Sequence, residues 1–490
     1  MSVRDCDVLI VGGGPTGVTL GLFLAAAGIS TIIAEKERAI YPLPRGAHID
    51  HEIVRILQNV GVAEAVMATS KTGGRYEFLT ADRKILLSFD WTAPGASGWP
   101  YSNMIHQPSL EGALRSRLAS YPSAALQAEW AFVSMETGPH GVSAHFETPA
   151  GPETVRARFM VGADGARSPV REAAGIPVDD LGFDEPWLVV DTIVHDAARL
   201  PDRNLQVCDP ARPTTCVMMG NGRHRWEFMI KPGEQSEDVL DDAFIADLLR
   251  PWKVEGAVTL ERKAVYRFHA RLAKQWRAGP VLLAGDAAHQ MPPFAGQGMC
   301  SGIRDAANLW WKLVEVIKGG ADEHLLDAFQ AEREPNVRGI VDMAILMGRT
   351  VCVTDLAAAA ERDAAMLADR AAGRSPDAQA GYPPISAGRI LGGSAGAGAY
   401  FPQPWSNDEP ALRLDDVTGP GPMLFSRSGT VPAGNSGVRV MELADPSITF
   451  AKSALEDWLV RHDADAVLVR PDHYVFGSGD PARLIAAWQP

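Results

Sequence analysis

Asp7-Val-Leu-Ile-Val11, then Gly12-Gly-Gly-Pro-Thr-Gly17, then Ser30-Thr-Ile-Ile-Ala-Glu35 decide how this 490-residue chain folds. The first run is apolar and β-branched, as a buried parallel strand requires. The glycine turn follows at once, and Val18 to Ala27 reads as a helix of small and leucine-like residues. A second strand then stops at Glu35. Gly12 permits a tight turn, Gly14 lets a pyrophosphate approach the backbone, and Gly17 lets helix and strand pack closely. The helix N-terminus offers free N–H groups and a positive dipole end to phosphates. Glu35, 18 positions after Gly17, is placed to hold the hydroxyls of an adenosine ribose. The stretch specifies a dinucleotide site, and NAD(P) and FAD both remain open.

The length calls for two or three domains. A hydrophobic share of 46% and a charged share of 22% are those of a soluble globular protein. A net charge of −14 argues against nucleic acid or an anionic membrane as partner. Residues 8 to 34 carry no charge and approach a membrane span in length, but four glycines and a proline among the first ten argue against one. No secretory signal is expected, and the five cysteines form no C-x-x-C pair. No disulfide framework or metal site is expected, and the reducing cytoplasm is the expected setting.

Farther along, a helix is expected from His51 to Val66 and another from Ser109 to Leu118. Residues 124 to 160 read as a β-meander whose last strand runs into Gly162-Ala-Asp-Gly165. Residues 187 to 267 read as a second, mostly antiparallel sheet, interrupted by a helix near Ser236 to Leu249. Val281-Leu-Leu-Ala-Gly-Asp286 is a short buried strand, followed by a glycine-rich loop and a helix over Met299 to Lys318. A helix from about Leu325 to Met347, an alanine-rich helix at 354 to 372, a Gly/Pro-rich linker and a small βαββ unit close the chain.

The glycine turn with Glu35, Asp164-Gly165, and Gly285-Asp286 stand together in this chain. In that combination it resembles the flavoprotein aromatic hydroxylases, single-component FAD monooxygenases of the p-hydroxybenzoate hydroxylase type. Pro44-Arg-Gly-Ala-His-Ile-Asp-His-Glu52, Arg225-Trp-Glu-Phe-Met229 and Val469-Arg-Pro-Asp472 look like the 3-(3-hydroxyphenyl)propionate hydroxylase branch.

The resemblance implies a mixed α/β fold. A Rossmann-like FAD-binding domain would be built from residues 1–75, 100–180 and 268–350. A substrate-binding sheet would come from 76–99 and 181–267, a helical linker from 351–399, and a thioredoxin-like domain from 400–490. It decides FAD over NAD(P) for the opening site, with NAD(P)H and O2 as co-substrates. Gly12, Gly14, Pro15, Thr16 and Gly17 would cradle the pyrophosphate, and Glu35 with Lys36 would hold the adenosine end. Arg45 and Gln107 would lie along the ribityl and pyrophosphate portion. Asp164 and Gly165 would touch both FAD and NAD(P)H, and Gly285 and Asp286 the ribityl region. Pro293, Gly296, Gly298, Met299 and Cys300 would reach the isoalloxazine.

The implied reaction hydroxylates a phenol through a flavin C4a-hydroperoxide, which needs a dry cavity and a base for the phenolic proton. Trp187, Val189, Met218, Met219, Trp226, Phe228 and Pro293 are candidates for lining the substrate cavity, with plain core packing the competing reading for the sheet residues. His48 ranks first as base, with Asp50 to orient it or bind substrate. His106 is a further candidate. His289 reads as structural, and His51, His224 and His269 as surface or core residues. Cys300 stands where the family often has Asn. A helix N-terminus would lower its thiol pKa, against a reading as a small buried hydrophobe. No arginine is evident for a substrate carboxylate, Arg212, Arg225 and Arg267 being the candidates. A homodimer is left open as the assembly. The alternative reading keeps the fold and changes the reaction to epoxidation, oxidative decarboxylation or Baeyer–Villiger oxidation of a larger polycyclic substrate.

Overall fold

The computed structural model describes residues 2–374, 381–406, 411–427, 437–445 and 452–489. Ser2–Val11 is the centre of an eight-stranded sheet. It pairs in parallel with Thr31–Glu35 on one side and Gly151–Gly162 on the other. Gly151–Gly162 pairs in parallel with Val281–Leu283. The registers Val11↔Ala34, Val11↔Gly162 and Gly162↔Leu283 end four strands at one edge. Gly12, Asp164 and Gly285 therefore emerge side by side, although the sequence separates them widely. Ligands bind at that edge of such sheets. The Pro15–Ala26 helix packs on this sheet with nearly every residue buried. An all-round apolar helix belongs inside a core.

A second eight-stranded sheet contains Val258–Ala273, Val178–Val194, Arg223–Met229, Thr214–Met219, Asn204–Val207 and Arg75–Leu79, neighbours in that order. Side chains alternate between its faces. Leu188, Val190, Leu205, Cys216, Trp226 and Phe228 form one apolar face, covered by the Asp242–Leu249 helix through Ile245. The opposite face carries Trp187, Asp191, Thr215, Arg225 and Glu227, and it turns toward residues 44–48 and 293–296.

Three local expectations are corrected. The helix expected over 51–66 is two, His51–Asn59 and Ala63–Met67, broken at Gly61 with φ +77. The segment near 236–249 is also two helices, because Asp241 caps the second one. Ala124–Ala128 leaves the expected meander and runs parallel to Thr31–Glu35. No single described helix is long and apolar enough to cross a membrane.

Near the C-terminus, Arg439–Glu442, Met423–Ser426, Ala466–Val469 and Val475–Gly479 form a four-stranded sheet with one parallel and two antiparallel pairings. Residues 375–380 of the expected linker, and 407–410, 428–436, 446–451 and 490 of the expected thioredoxin-like unit, lie outside the described residues. The sheet packs on Trp311 through Leu424, Leu468, Phe476 and Trp488. Buried charges add to the contact. Glu332, on the Asp327–Val351 helix, accepts from Arg470 at 2.6 Å, Lys312 at 2.8 Å and Asn308 at 2.7 Å.

Removing one partner of a buried ion pair strands the other charge. Arg470→Met should therefore lower stability by about 3–5 kcal/mol, read by chemical denaturation. Burial raises the Glu332 pKa, but Arg470 and Lys312 outweigh it and bring it from 4.5 to about 2. A depressed carboxyl stabilises the fold fully above its unfolded value and loses that contribution as pH falls. The acid-side loss between 4.5 and about 2 should be reduced in Glu332→Gln.

Candidate flavin and substrate site

At the shared strand edge the backbone approaches are close enough to demand glycine. Gly12 has φ +111, and a Cβ there would sit 2.2 Å from the Ala163 carbonyl oxygen. A Cβ on Gly302 would meet Thr16 Oγ1 at 2.3 Å, which is how the Gly298–Val314 helix closes on the Pro15–Ala26 helix. Gly14, the N-cap of Pro15–Ala26, has nothing within 4 Å of its Cβ position and no side-chain cap. The helix N-terminus is thus open to a phosphate.

Glu35 bends back to the turn. Its Oε2 accepts from Gly13 N–H at 2.7 Å and its Oε1 from Glu37 N–H at 2.8 Å. Lys36 is exposed. Gln107 Oε1 accepts from Gly46 N–H at 2.5 Å, and its Nε2 donates to Glu111 Oε1 at 2.7 Å. Arg115 lies 3.9 Å from Glu111, donates from Nη2 to the Gly13 carbonyl at 2.8 Å, and has a buried Nε without a partner. Sequence reading missed Arg115. Its signal was the four-residue spacing of Gln107, Glu111 and Arg115, which puts all three on one helix face.

Asp164 Oδ2 accepts from Val170 N–H at 3.0 Å, while its Oδ1 is buried without a partner. Burial raises its carboxyl pKa. Asp286 is open to solvent yet ringed by protein, which also raises its pKa, with His289 and Arg45 opposing. The open Gly14 and the unpartnered Asp164 and Arg115 atoms fit a dinucleotide lying along this edge.

Residues 293–296 meet His48. His48 Nδ1 lies 3.2 Å from the Gly296 carbonyl oxygen. A carbonyl only accepts, so Nδ1 carries the proton and Nε2 is an acceptor. Nε2 is buried without a partner. Burial lowers the His48 pKa, with Asp50 opposing. The ring lies 5.7 Å from Trp91, which lies 5.2 Å from Tyr76. Met299 packs beside Gly46. Cys300 points its thiol at the carbonyls of His48 and Gly296, and burial raises its pKa, so the buried-hydrophobe reading describes it and the lowered thiol pKa does not.

Other expectations need correction. Asp50 does not orient His48 through a hydrogen bond. Its Oδ1 caps the His51–Asn59 helix through Glu52 and Ile53 N–H, and its Oδ2 accepts from Arg304 at 2.7 Å. Trp226 and Phe228, with Met218, lie on the opposite face of the sheet from residues 293–296, because period-two alternation pairs them with Val190, Leu188 and His224. Trp187 and Met219 fall on the near face, and the Trp187 ring is 5.5 Å from Phe294. His289, buried against Asp305 at 2.7 Å, and His224, stacked on Trp226 on the far face, are core residues in keeping with their reading, while His106 Nδ1 lies 2.9 Å from Ser109 Oγ and its Nε2 is buried without a partner. Arg212 pairs with Glu234, Arg267 with Asp184, and Arg225 with Asp191 and the carbonyls of Pro44 and Arg45.

A family model described as FAD binding domain matches residues 5–344. The probable NADH-specific resorcinol 4-hydroxylase of Rhodococcus jostii (strain RHA1) is 37% identical over 99% of this chain and 94% of its own. The 3-(3-hydroxy-phenyl)propionate/3-hydroxycinnamic acid hydroxylase of Mycobacterium sp. (strain JLS) is 33% identical over 97% of this chain and 89% of its own. The flavin-dependent monooxygenase PieE, solved with FAD and substrate, shares the fold with a TM-score of 0.84 at 23% identity, over 99% of both chains. With the parallel edge and its glycine turns, these matches establish that the chain belongs to the FAD binding domain family and is an FAD-dependent aromatic hydroxylase that consumes NAD(P)H and O2.

Proposed function

We propose that this enzyme hydroxylates a phenol at the end of the site marked by residues 293–300, with His48 as the base. The carrying observation is the buried, unpartnered Nε2 of His48, whose tautomer is set by the Gly296 carbonyl. The relatives' names span uncharged and carboxylated phenols, so the ring chemistry is common to both and the substituent is the open variable.

The cofactor's anchoring follows from the first sheet. Gly12, Gly14 and Gly17 bring backbone N–H groups and a helix N-terminus to the pyrophosphate. Pro15 and Thr16 start that helix. Glu35 holds the adenosine ribose, with Lys36 alongside, and Arg45, Gln107, Gly285 and Asp286 line the middle of the dinucleotide. Arg115 adds a cation beside Gly13. Asp164 and Gly165 serve FAD and the transient NAD(P)H. When bound, FAD reduced by NAD(P)H supplies the activated oxygen that reaches the ring.

His48 Nε2 accepts the phenolic proton, and the resulting phenolate is far more electron-rich at its ortho and para carbons. A neutral imidazole is needed for that role, and the lowered pKa keeps it neutral at physiological pH. Trp187, Met219, Pro293 and Phe294 exclude water from the reacting end. The free cysteines suit a reducing cytoplasm, and the net charge of −14 suits a small aromatic molecule rather than nucleic acid as partner.

Arg115→Ala should weaken FAD binding about 10- to 100-fold, the cost of one charge-assisted hydrogen bond, measured by flavin fluorescence on the apoprotein. His48→Ala should lower kcat about 10²- to 10⁴-fold while phenol-dependent flavin perturbation persists. Because burial depresses the His48 pKa, the acid limb of kcat should lie below 6.5 in the wild type. That limb should vanish from the residual rate of the variant.

A further inference from the structure

The near face of the second sheet holds a charge that the protein leaves without a hydrogen bond. Glu227 is 6% exposed and stands opposite Val189 and Thr215 in the strand registers. Among the described residues no hydrogen bond reaches its carboxylate. Its closest charge is Arg225 Nη1 at 3.7 Å, beyond hydrogen-bond length. Arg225 itself is committed elsewhere, donating to Asp191 at 2.6 Å and to the carbonyls of Pro44 and Arg45 at 2.6 and 2.8 Å.

The neighbouring donors are consumed in a relay that bypasses Glu227. Thr215 Oγ1 donates to Gln206 Oε1 at 2.7 Å, Gln206 Nε2 donates to Tyr76 OH at 2.6 Å, and Tyr76 OH donates to the Phe294 carbonyl at 2.9 Å. That relay ends on the 293–296 turn, which also holds His48. Burial raises the Glu227 carboxyl pKa, with Arg225 opposing, so its charged form gains from any donor brought to it. Among the described residues, His48 Nε2 is a buried acceptor without a partner, and the Glu227 carboxylate has no hydrogen bond, only Arg225 at 3.7 Å. Both call for a donor from the ligand.

Among the described residues, the arginines of this face are already paired, Arg223 with Glu261 at 2.6 Å. Asp191, fully buried, pairs Arg225 at 2.6 Å and Arg262 at 3.5 Å. Arg212 and Arg267 are held by Glu234 and Asp184. A substrate carboxylate would face Glu227 without compensation, a like-charge contact in a desolvated setting.

We propose that Glu227 determines substrate specificity, accepting a hydrogen bond from a second ring hydroxyl of an uncharged dihydric phenol and repelling phenols that carry a carboxylate. The assignment rests on the phenol hydroxylase reading above and adds the substituent that reading left open.

Titrating the oxidised holoenzyme with resorcinol, phenol and 3-(3-hydroxyphenyl)propionate, and following the flavin difference spectrum, tests it before any turnover. The wild type should bind resorcinol about tenfold or more tighter than phenol, and the carboxylated phenol weakest. Glu227→Leu should bring resorcinol and phenol within about threefold of each other and improve binding of the carboxylated phenol about tenfold. Glu227→Gln keeps an acceptor oxygen of the same shape, so it should retain part of the resorcinol preference while losing the exclusion of the carboxylate. Melting temperature and FAD content of Glu227→Gln report whether the fold is intact. Wild-type preference retained in both variants, or a wild type that binds the carboxylated phenol as tightly as resorcinol, overturns the proposal alone. A wild type in which no phenol perturbs the flavin or stimulates NAD(P)H oxidation overturns the hydroxylase reading and the Glu227 assignment with it.

Discussion

Polar side chains buried on one helix hold the rest of the molecule in place. Gly298–Val314 carries Arg304, Asp305, Asn308 and Lys312, all 3% exposed or less. Polar groups withdrawn from water must find partners, and each of these finds one on another segment of the chain. Arg304 ties Asp50 and Glu52, the segment that bears His48. Asp305 accepts from Gly285 N–H and Arg333 and contacts His289. Asn308 and Lys312 reach Glu332, which holds Arg470 of the C-terminal unit. Burial lowers the Lys312 pKa to about 8, so even this lysine depends on Glu332 for its charge. A sliding of the helix would unpair several ions at once, and that cost fixes the helix start next to residues 293–297.

The sequence made one part of this architecture plain and hid another. Strand, glycine turn, helix, strand, acid is a local pattern, and Gly12 to Glu35 folds as read. Asp164-Gly165 and Gly285-Asp286 were legible as strand ends, and the parallel registers then bring them to the same edge. What stayed hidden was which face of the second sheet meets the cofactor side. Alternation gives two faces but not their orientation. Trp226 and Phe228 are cavity candidates by size and apolarity, with plain core packing as the competing reading, and core packing is what they do. The apolar set instead packs under Asp242–Leu249, and the face turned inward is the polar one. The informative signal was the opposite of the one used: Asp191, Arg225 and Glu227 alternate with buried apolar residues and are themselves buried.

Asp50 teaches a related point. An acid just before a helical run is a capping signal, and Asp50 accepts from Glu52 and Ile53 N–H as a cap does. Proximity to His48 in sequence suggested a dyad, but adjacent residues on a strand point to opposite faces, and residues two apart share one only while the strand continues. Here His48–Asp50 ends at the helix start, so Asp50 turns to the backbone and to Arg304.

The consequence for chemistry runs through Gly296. Its φ of +64 forms the corner of the 293–296 turn, and a Cβ there would stand 3.1 Å from His48 Nδ1. That closeness lets the Gly296 carbonyl receive the Nδ1 proton and leaves Nε2 as the acceptor. The turn cannot drift, because the helix anchored by Arg304 and Asp305 begins two residues later. The tautomer of His48 is therefore set by ion pairs that never touch it, and the same pairs keep the segment carrying His48 against the turn. The buried charges of that helix are matched by partners, while His48 Nε2 is left without a hydrogen bond.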